Sequence, residues 1–332
     1  MTDKPDNSGE DLEGTTRREF LKIAGGAGAG SLLAKLGLIS STGIAVASCL
    51  GGFGLVRLNN APDYDSYASN EDIRKIHFAY LNAADLRGDT PNLWAIVSRK
   101  KILRRAKWLA SYSRTNRFDF LGLSEVDYKD TLKTGCVNQP QAIAKYMGTP
   151  YDYVIFDEYA KSSGWTTGKA VVSRFPMKPI YRHVYGKKNG FFGRFRHVFK
   201  DFIHVGSKVG RRKLDIINNH FYDGYESVKM DEAKQLLAYA TKLMKEDPNR
   251  FMVAPGDYNS THDSNVMTKI LSTGVFFPPA VNFGLKTYRS SNPYSDIDHI
   301  LANQNLKITD FRTFHFPWSD HLGVECMLEF KH

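Results

Sequence analysis

The segment Phe251-Met252-Val253-Ala254-Pro255-Gly256-Asp257-Tyr258-Asn259 carries the strongest structural signal in this chain. An apolar run leads directly into Gly-Asp-Tyr-Asn, a pattern that is typical of a buried strand ending at the edge of a sheet. Asp257 and Asn259 are two residues apart, so in an extended chain their side chains point the same way. We therefore expect both to reach one ligand, although a strand followed by an ordinary Asp/Asn turn gives the same pattern.

Other strand-like segments also end in polar residues that could contact a metal or a phosphate. A carboxylate at the end of a buried strand is costly unless it is paired or binds a metal. Together with Asp257 and Asn259, these strand-end residues are Asn82, Glu125, His220 and the pair Asp320-His321.

Helical spacing of apolar residues separates several of these strands. It predicts amphipathic helices over residues 94–112, 138–147 and 230–245. Strands that alternate with helices favour an α/β layered domain, and the periodicity alone goes no further than that class.

Three short motifs follow one another in the last third of the chain. They are Gly-Asp-Tyr-Asn at 256–259, Ile-Asp-His-Ile at 297–300 and Ser-Asp-His-Leu at 319–322, preceded by Glu125 and His220. In order and kind they resemble the endonuclease/exonuclease/phosphatase superfamily. Its members include pancreatic-type deoxyribonucleases, abasic-site endonucleases, neutral sphingomyelinases and inositol polyphosphate phosphatases.

The resemblance extends from about residue 76 to residue 330. It implies an α/β fold in which a two-sheet β-sandwich is flanked by helices, in four layers ordered α/β/β/α. Residues 73–332 would then form a single catalytic domain, which we expect to be monomeric.

The resemblance also implies a divalent-metal site. Glu125, Asn82 and Asp320 would bind the ion, which we expect to be Mg²⁺ or Mn²⁺ because hard cations prefer oxygen ligands. Asp257 would orient or deprotonate the attacking water, and positive charge would offset the developing oxyanion.

The remaining expected roles concern the scissile phosphate. His321 would act as general base or acid, with Asp298 fixing its tautomer and charge. Asn259 would hold the phosphate. His220 matches a second phosphate-facing histidine of the deoxyribonuclease and sphingomyelinase branches, and abasic-site endonucleases tend to lack it.

One departure from the family pattern concerns the strand that ends in Ser-Arg-Phe-Pro. The family often has Gly-Asn-Ala before this strand end, and here Lys169 replaces the Asn. A lysine could serve there as a point charge for the phosphate. Tyr153 and Tyr159 both remain candidates for the family's phosphate-side tyrosine, whereas His262 and His315 match no family position and are expected to be structural.

Residues 1–49 are interpreted as an export signal. Arg17-Arg18-Glu19-Phe20-Leu21-Lys22 precedes a mildly apolar, Gly- and Ala-rich stretch, an arrangement that resembles a twin-arginine signal. An amphipathic helix with a chance arginine pair is the alternative, but the glycines from Gly25 to Gly30 disfavour a helix.

The end of this signal allows two forms of processing. Val46-Ala47-Ser48-Cys49 resembles a lipobox, which would leave Cys49 as a lipidated N-terminus, whereas Ala45-Val46-Ala47 also fits ordinary signal peptidase. We favour lipidation, with residues 50–72 as a tether and a periplasmic or cell-surface location. The export machinery is then an expected partner.

Composition narrows the substrate only partly. The chain has 45 Lys+Arg against 35 Asp+Glu, a net charge of +10, which favours polyanionic partners. Its three cysteines lack metal-ligand spacing and are too few for a disulfide framework, so no structural zinc is expected.

Residues 182–213 concentrate this positive charge, with ten Lys/Arg against one acid and interleaved aromatic residues. Such a segment suits nucleic acid, an anionic membrane entered by Phe191 and Phe192, or simply solvent. We therefore expect a nuclease first and a sphingomyelinase-like or small-phosphoester phosphodiesterase or phosphatase second. A non-catalytic binding module remains a remote alternative.

Overall fold

The computed structural model describes residues 69–88, 96–129, 131–148, 151, 153–162, 165–185 and 200–331, together with the backbone of Val56–Asn59. The expected export signal at 1–49, most of the expected tether, and residues 186–199 of the basic segment lie outside the described residues.

Twelve strands and four α-helices are formed by the described residues. The strands are β1 Val56–Asn59, β2 Lys75–Asn82, β3 Phe120–Asp127, β4 Tyr153–Ser162, β5 Trp165–Ser173, β6 Met177–Val184, β7 Asp201–Val209, β8 Arg212–His220, β9 Phe251–Asp257, β10 Asp298–Ala302, β11 Leu306–Phe314 and β12 Gly323–Phe330. The helices are α1 Arg99–Thr115, α2 Gln139–Met147, α3 Glu226–Glu246 and α4 Asn265–Leu271, and single 3₁₀ turns lie at Ala84–Leu86 and Leu132–Thr134.

The strands form two mixed sheets. The first has the order β1-β4-β5-β3-β2-β12-β11, and the second has the order β10-β9-β8-β7-β6. In each sheet one central pair is parallel, β2 with β3 and β8 with β9, and the other neighbours are antiparallel. Parallel neighbours deliver their carboxyl ends to the same edge of a sheet, and this edge carries the candidate site.

Three apolar cores hold the layers together. Phe78, Phe120, Val205 and Val253 belong to the core between the two sheets. A second core packs α1 and α2 on the first sheet, and a third packs α3 and α4 on the second. The layer order is therefore α/β/β/α, which confirms the predicted sandwich flanked by helices.

Several boundaries differ from the sequence interpretation. The helices expected over 94–112 and 230–245 lie at Arg99–Thr115 and Glu226–Glu246. Val56–Asn59, within the expected tether, pairs antiparallel with β4 as an edge strand instead of running unpaired. The strand expected to stop at Glu125 continues to Asp127 across a β-bulge. Among the described residues, no helix is long and apolar enough to cross a membrane, and Cys136 and Cys326 are both free thiols.

The end of β9 combines two residues that are unusual inside a sheet. Pro255 has no backbone N–H to donate, and the pairing of β9 with β8 resumes only at Gly256, opposite Asn219. The Asn219 side chain donates to the Pro255 carbonyl oxygen (2.9 Å). Gly256 is required because a Cβ there would lie 2.5 Å from the Asn219 carbonyl oxygen and 2.4 Å from its side-chain nitrogen.

Gly256→Ala is expected to destabilise the protein, because the added methyl must displace the backbone of β8 just before Asp257. Overpacking of this kind costs about 1–3 kcal/mol. The midpoint of urea unfolding measures the effect. Gly122→Ala is the control, since its Cβ would meet the edge of the Tyr80 ring at 3.2 Å and should cost less; equal costs would contradict this account of Gly256.

Candidate active site

The predicted motif residues converge where the two sheets meet at one edge. Asp257 ends β9, and Asp298, which begins β10, stands directly opposite it in the antiparallel register. His220 ends β8 and pairs with Asp257 from the other side. Asp257 is thus flanked in the sheet by a histidine and a second carboxylate.

Asp257 lies at the centre of this group and is almost fully buried. Its Oδ2 accepts a hydrogen bond from Asn82 Nδ2 (3.0 Å) and lies 3.5 Å from His220 Nε2 and 3.9 Å from His321 Nε2. Burial, reinforced by the negative charge of Asp298, raises the pKa of Asp257 to about 7. A carboxylate with such a pKa can exchange a proton near neutrality.

Asp298 and His321 form a buried acid–imidazole pair. His321 Nδ1 lies 2.8 Å from Asp298 Oδ2, and the opposite ring nitrogen faces Asp257. Burial disfavours the imidazolium, but the charges of Asp298, Asp257 and Asp320 outweigh it and raise the pKa of His321 to about 10. The structure thus brings Asp298 and His321 into contact, as the resemblance implies, and their catalytic roles stay predictions.

The loop that carries His321 is tied to the first sheet by Ser319. The Ser319 hydroxyl donates to the Asn82 carbonyl oxygen (2.6 Å) and accepts from the His321 backbone N–H (3.0 Å). The Tyr288 ring packs against the His321 ring at a centroid distance of 4.9 Å. Ser319 lies within the Ser-Asp-His-Leu motif, but the motif predicted no role for it, and no sequence pattern pointed to Tyr288.

Glu125 reaches the site through the bulge in β3. Pairing with β5 jumps between Leu123 and Val126, and Glu125 adopts a left-handed φ of 50°. This turn leaves its side chain 38% exposed at the edge, 3.7 Å from His220 Nε2. Burial raises the pKa of Glu125, and the positive charge of Lys200 opposes the rise.

Asn82 links the carboxylates of Glu125 and Asp257. Its Nδ2 donates to Asp257 Oδ2 (3.0 Å) and approaches Glu125 Oε1 (3.3 Å), while its Oδ1 accepts from the Ala84 N–H (3.2 Å). The amide therefore holds the carboxylates of the two sheets together across the sandwich.

Asn259 and Asp320 border this centre. Asn259 does not continue β9, because its φ is 47°, so the expectation that Asp257 and Asn259 point alike as strand neighbours is wrong. The Asn259 N–H donates to Asp257 Oδ1 (2.8 Å), and its Nδ2 donates to the Phe221 carbonyl oxygen (2.9 Å). Asp320 precedes His321, and its charge raises the pKa of both Glu125 and His321.

His220 is fully buried and faces a lysine that sequence analysis did not single out. Lys200 Nζ lies 2.6 Å from His220 Nε2. Burial, together with the positive charges of Lys200, Lys169 and His321, lowers the pKa of His220 well below its usual value. His220 is therefore a neutral imidazole that accepts a hydrogen bond at Nε2.

Lys169 does not have the expected position of a phosphate-binding charge. Its ammonium group is fully buried and bonds the carboxylates of Asp157 (3.3 Å) and Asp201. Arg182 binds the same two carboxylates at 2.6 and 2.9 Å. Lys169 thus belongs to an ion-pair cluster behind the site, because two buried carboxylates, one from each sheet, need cations.

The described residues of the basic segment 182–213 do not form one surface. Arg182 and Lys200 turn inward at the catalytic edge, whereas Arg212 pairs with Asp72 (2.6 Å) at the other end of β7 and β8. At about 3.3 Å per residue, nine residues of β7 separate these ends by about 30 Å. The described positive charges therefore divide between opposite edges of the sheet.

His262 and His315, which were expected to be structural, and the candidate Tyr153 lie outside this centre. His262 pairs with Asp296 (2.8 Å), His315 is exposed, and Tyr153 packs against the core between the sheets. The side chain of Tyr159 lies outside the described residues.

The chemistry of the donor set fits a divalent cation. Four carboxylates, those of Glu125, Asp257, Asp298 and Asp320, face one edge, and hard cations prefer oxygen ligands. Ligand-capable atoms of Asp257, Asp298 and His321 lie within 4.8 Å of one another, and in the described part of the chain the buried Asp298 Oδ1 makes no hydrogen bond. Glu125, Asn82 and Asp320, which the family resemblance implies as the ligands, border the same edge, and their role as ligands stays a prediction.

Comparison with known proteins agrees with this geometry. Residues 92–321 match the model of the Endonuclease/Exonuclease/phosphatase family. The structure is similar to an endonuclease/exonuclease/phosphatase from Beutenbergia cavernae, with TM-score 0.61, 18% identity, and coverage of 78% of this chain and 72% of that chain. No curated protein matches the sequence significantly.

Two further solved structures share the fold. Truncated Caenorhabditis elegans TDP2 has TM-score 0.56 and 14% identity, covering 78% of this chain and 100% of that one. The Bacteroides thetaiotaomicron mannosyl-6-phosphatase Bt3783 has TM-score 0.52 and 15% identity, covering 77% and 100%.

The chain belongs to the endonuclease/exonuclease/phosphatase family. Members of this family are divalent-metal-dependent hydrolases of phosphate esters, and the protein is accordingly a phosphoesterase.

Asp298→Asn is expected to lower the pKa of His321 from about 10 toward 6.5 in metal-free protein. The reason is that the neutral amide no longer stabilises the imidazolium. In the wild type the ring stays protonated at pH 8, and in the variant it loses most of its proton there. NMR titration of the His321 ring measures this shift, with His262→Ala as the control; an unchanged pKa in the Asp298 variant would contradict the assigned pairing.

Proposed function

We propose that the protein hydrolyses phosphodiesters by metal-assisted attack of water, with nucleic acid as its substrate. The observation that carries this proposal is the line of Asp298, His321 and Asp257. The Asp298–His321 pair directs its second ring nitrogen toward Asp257, 3.9 Å away, beside the partly exposed carboxylate of Glu125. A water molecule and a phosphoryl group can approach this edge together.

Each residue has a definite task in this reaction. Asp257 orients the attacking water and accepts its proton, for which a pKa of about 7 is suitable. His321 enters protonated, and its Nε2–H donates to a phosphoryl oxygen or to the leaving oxygen. Asp298 holds the ring in that tautomer through the bond at Nδ1.

Glu125, Asn82 and Asp320 would hold the cation, which we propose is Mg²⁺ or Mn²⁺. When bound, the cation offsets the charge that develops on the phosphoryl oxygens. Asn259 would fix the phosphate from the β9 side, since its backbone is locked by the bond to Asp257.

Nucleic acid is favoured by charge. The net charge of +10 draws polyanions, and between Tyr185 and Lys200 the sequence carries four Lys/Arg and four Phe but no acid. Tyr185 and Lys200, which flank those residues, are hydrogen-bonded through their backbones (3.2 Å). Basic and aromatic residues together bind single-stranded or nicked nucleic acid through phosphates and stacked bases.

A sphingomyelinase-like or other phosphodiesterase acting on a membrane is the second candidate. The same composition, with Phe191 and Phe192 adjacent, would suit insertion into an anionic lipid surface.

His321→Ala is expected to lower the rate of phosphodiester cleavage by at least about 100-fold, since it removes the proton donor. Purified protein is incubated with supercoiled plasmid, RNA or sphingomyelin liposomes, with Mg²⁺, with Mn²⁺ or with EDTA. We expect plasmid nicking that requires metal and His321. His315→Ala, a substitution of an exposed histidine outside the site, is the matched control.

The outcomes separate the candidates. Lipid cleavage without nicking would replace the nuclease by the membrane phosphodiesterase. Nicking that persists at the wild-type rate in the His321 variant would contradict the assigned chemistry.

We also propose that the protein is exported by the twin-arginine route and anchored by lipid at Cys49, as the first 49 residues indicate.

Lys substitution of both Arg17 and Arg18 is expected to retain the protein in the cytoplasm, and Cys49→Ser is expected to release it from the membrane. Cell fractionation and labelling with radioactive palmitate measure the two effects. Membrane-bound, labelled Cys49→Ser protein would contradict the lipid anchor.

A further inference from the structure

We propose that Lys200 is a ligand of the substrate's phosphoryl group and forms, with His220, an anion-binding subsite beside the metal ligands. This inference rests on the proposed phosphoester hydrolysis and adds to it the cation that contacts the non-bridging oxygens.

The charge of Lys200 is buried, and no carboxylate among the described residues lies within ion-pair distance of it. The residue is only 9% exposed. Within the part of the chain that the structure describes, its ammonium group bonds the His220 ring and forms no ion pair with a carboxylate. Residues 186–199, which precede it, contain no acid. A buried ammonium is costly unless an anion compensates it.

Nearby carboxylates do not provide this compensation. Asp201, the next residue, is held by Lys169 and Arg182, which also neutralise Asp157. The cluster contains two acids and two bases, so its formal charge is already balanced. Lys200 is therefore not required to neutralise this cluster, and its charge remains at the catalytic edge.

Among the described residues, the acids of the metal site interact with Lys200 only at long range. Lys200 opposes the rise in the pKa of Glu125 and of Asp257, so both experience its charge from beyond ion-pair distance. A divalent cation held by Glu125 and Asp320 would neutralise this negative charge. The ammonium of Lys200 would then be available to contact the phosphate of the substrate, which the cation also attracts.

The contact with His220 shows where that anion would be bound. Lys200 Nζ donates to His220 Nε2, and this nitrogen lies 3.5 Å from Asp257 Oδ2 and 3.7 Å from Glu125 Oε1. A phosphoryl oxygen that lies beside these groups can accept from the ammonium directly. An ammonium has three donor hydrogens, so Lys200 can keep its bond to His220 while it binds the phosphate.

The test is the affinity of the full-length protein for inorganic phosphate, measured by calorimetry in the presence of Mn²⁺. Lys200→Gln retains a donor for His220 but removes the charge, and Lys200→Met removes both. We expect each variant to bind phosphate at least about tenfold more weakly, and Lys200→Arg to retain most of the affinity. Lys213→Met is the matched control, because Lys213 is an exposed lysine at the opposite end of β8.

Two further measurements exclude an indirect effect. Mn²⁺ affinity, followed by electron paramagnetic resonance, should not weaken in the Lys200 variants, and their thermal midpoints should match the wild type. If Lys200 acted only by holding His220, Lys200→Met would have no additional effect on phosphate binding in His220→Ala protein. We expect the effect to persist in that background.

Failure of the inference differs from failure of the proposed function. Wild-type phosphate affinity in folded Lys200→Gln or Lys200→Met protein would overturn the subsite and leave the hydrolase intact. Phosphate binding that depends on Lys200 in a protein that cleaves no phosphoester would uphold the anion site and overturn the proposed activity.

Discussion

The repulsion among carboxylates at the edge of the sandwich is the constraint on which the site depends. Asp257, Asp298, Glu125 and Asp320 approach one another because β9, β10, the bulge of β3 and the loop before β12 meet there. Burial and mutual repulsion raise the pKa of Asp257 to about 7. Such an assembly is stable only with compensating positive charge, which the imidazolium of His321 supplies in part.

The remaining compensation explains the composition of the centre. A divalent cation would neutralise the charge of the carboxylates. An anionic phosphoryl group would then bind to both the cation and Lys200. Each ligand therefore makes the site more favourable for the other, as expected for binding sites that share an electrostatic imbalance. The buried cluster of Asp157, Lys169, Asp201 and Arg182 is balanced within itself, and it holds β4 to β7 in place behind the catalytic edge.

The sequence motifs predicted the site residues that lie at the end of an apolar strand or within a short, specific motif. Asp257 ends an apolar strand, and Asp298 and His321 lie in short, specific motifs, so their convergence followed from the family fold. The left-handed conformations of Glu125 and Asn259 could not be predicted, because non-glycine residues rarely adopt them and strand alternation predicts otherwise.

The cations were the least predictable residues. Lys169 lies in a strand-like segment and Lys200 in the basic segment, and neither sequence indicates the partner of the lysine. Only the tertiary structure shows that Lys169 bonds two carboxylates whereas Lys200 bonds an imidazole. Pairing across a sheet depends on register and on partners distant in sequence. From composition alone, residues 182–213 were interpreted as one basic segment. The described charges of this segment nevertheless lie at opposite ends of the strands.

The most direct test of the account is the position of a bound metal ion, measured by anomalous diffraction from crystals soaked in Mn²⁺. The account predicts one strong anomalous peak with Glu125 as a ligand, next to Asn82 and Asp320. Asp298 should remain bonded to His321 in the same crystal. A peak that is coordinated by Asp298 and His321 without Glu125, or a fully soaked crystal with no peak at this edge, would contradict it.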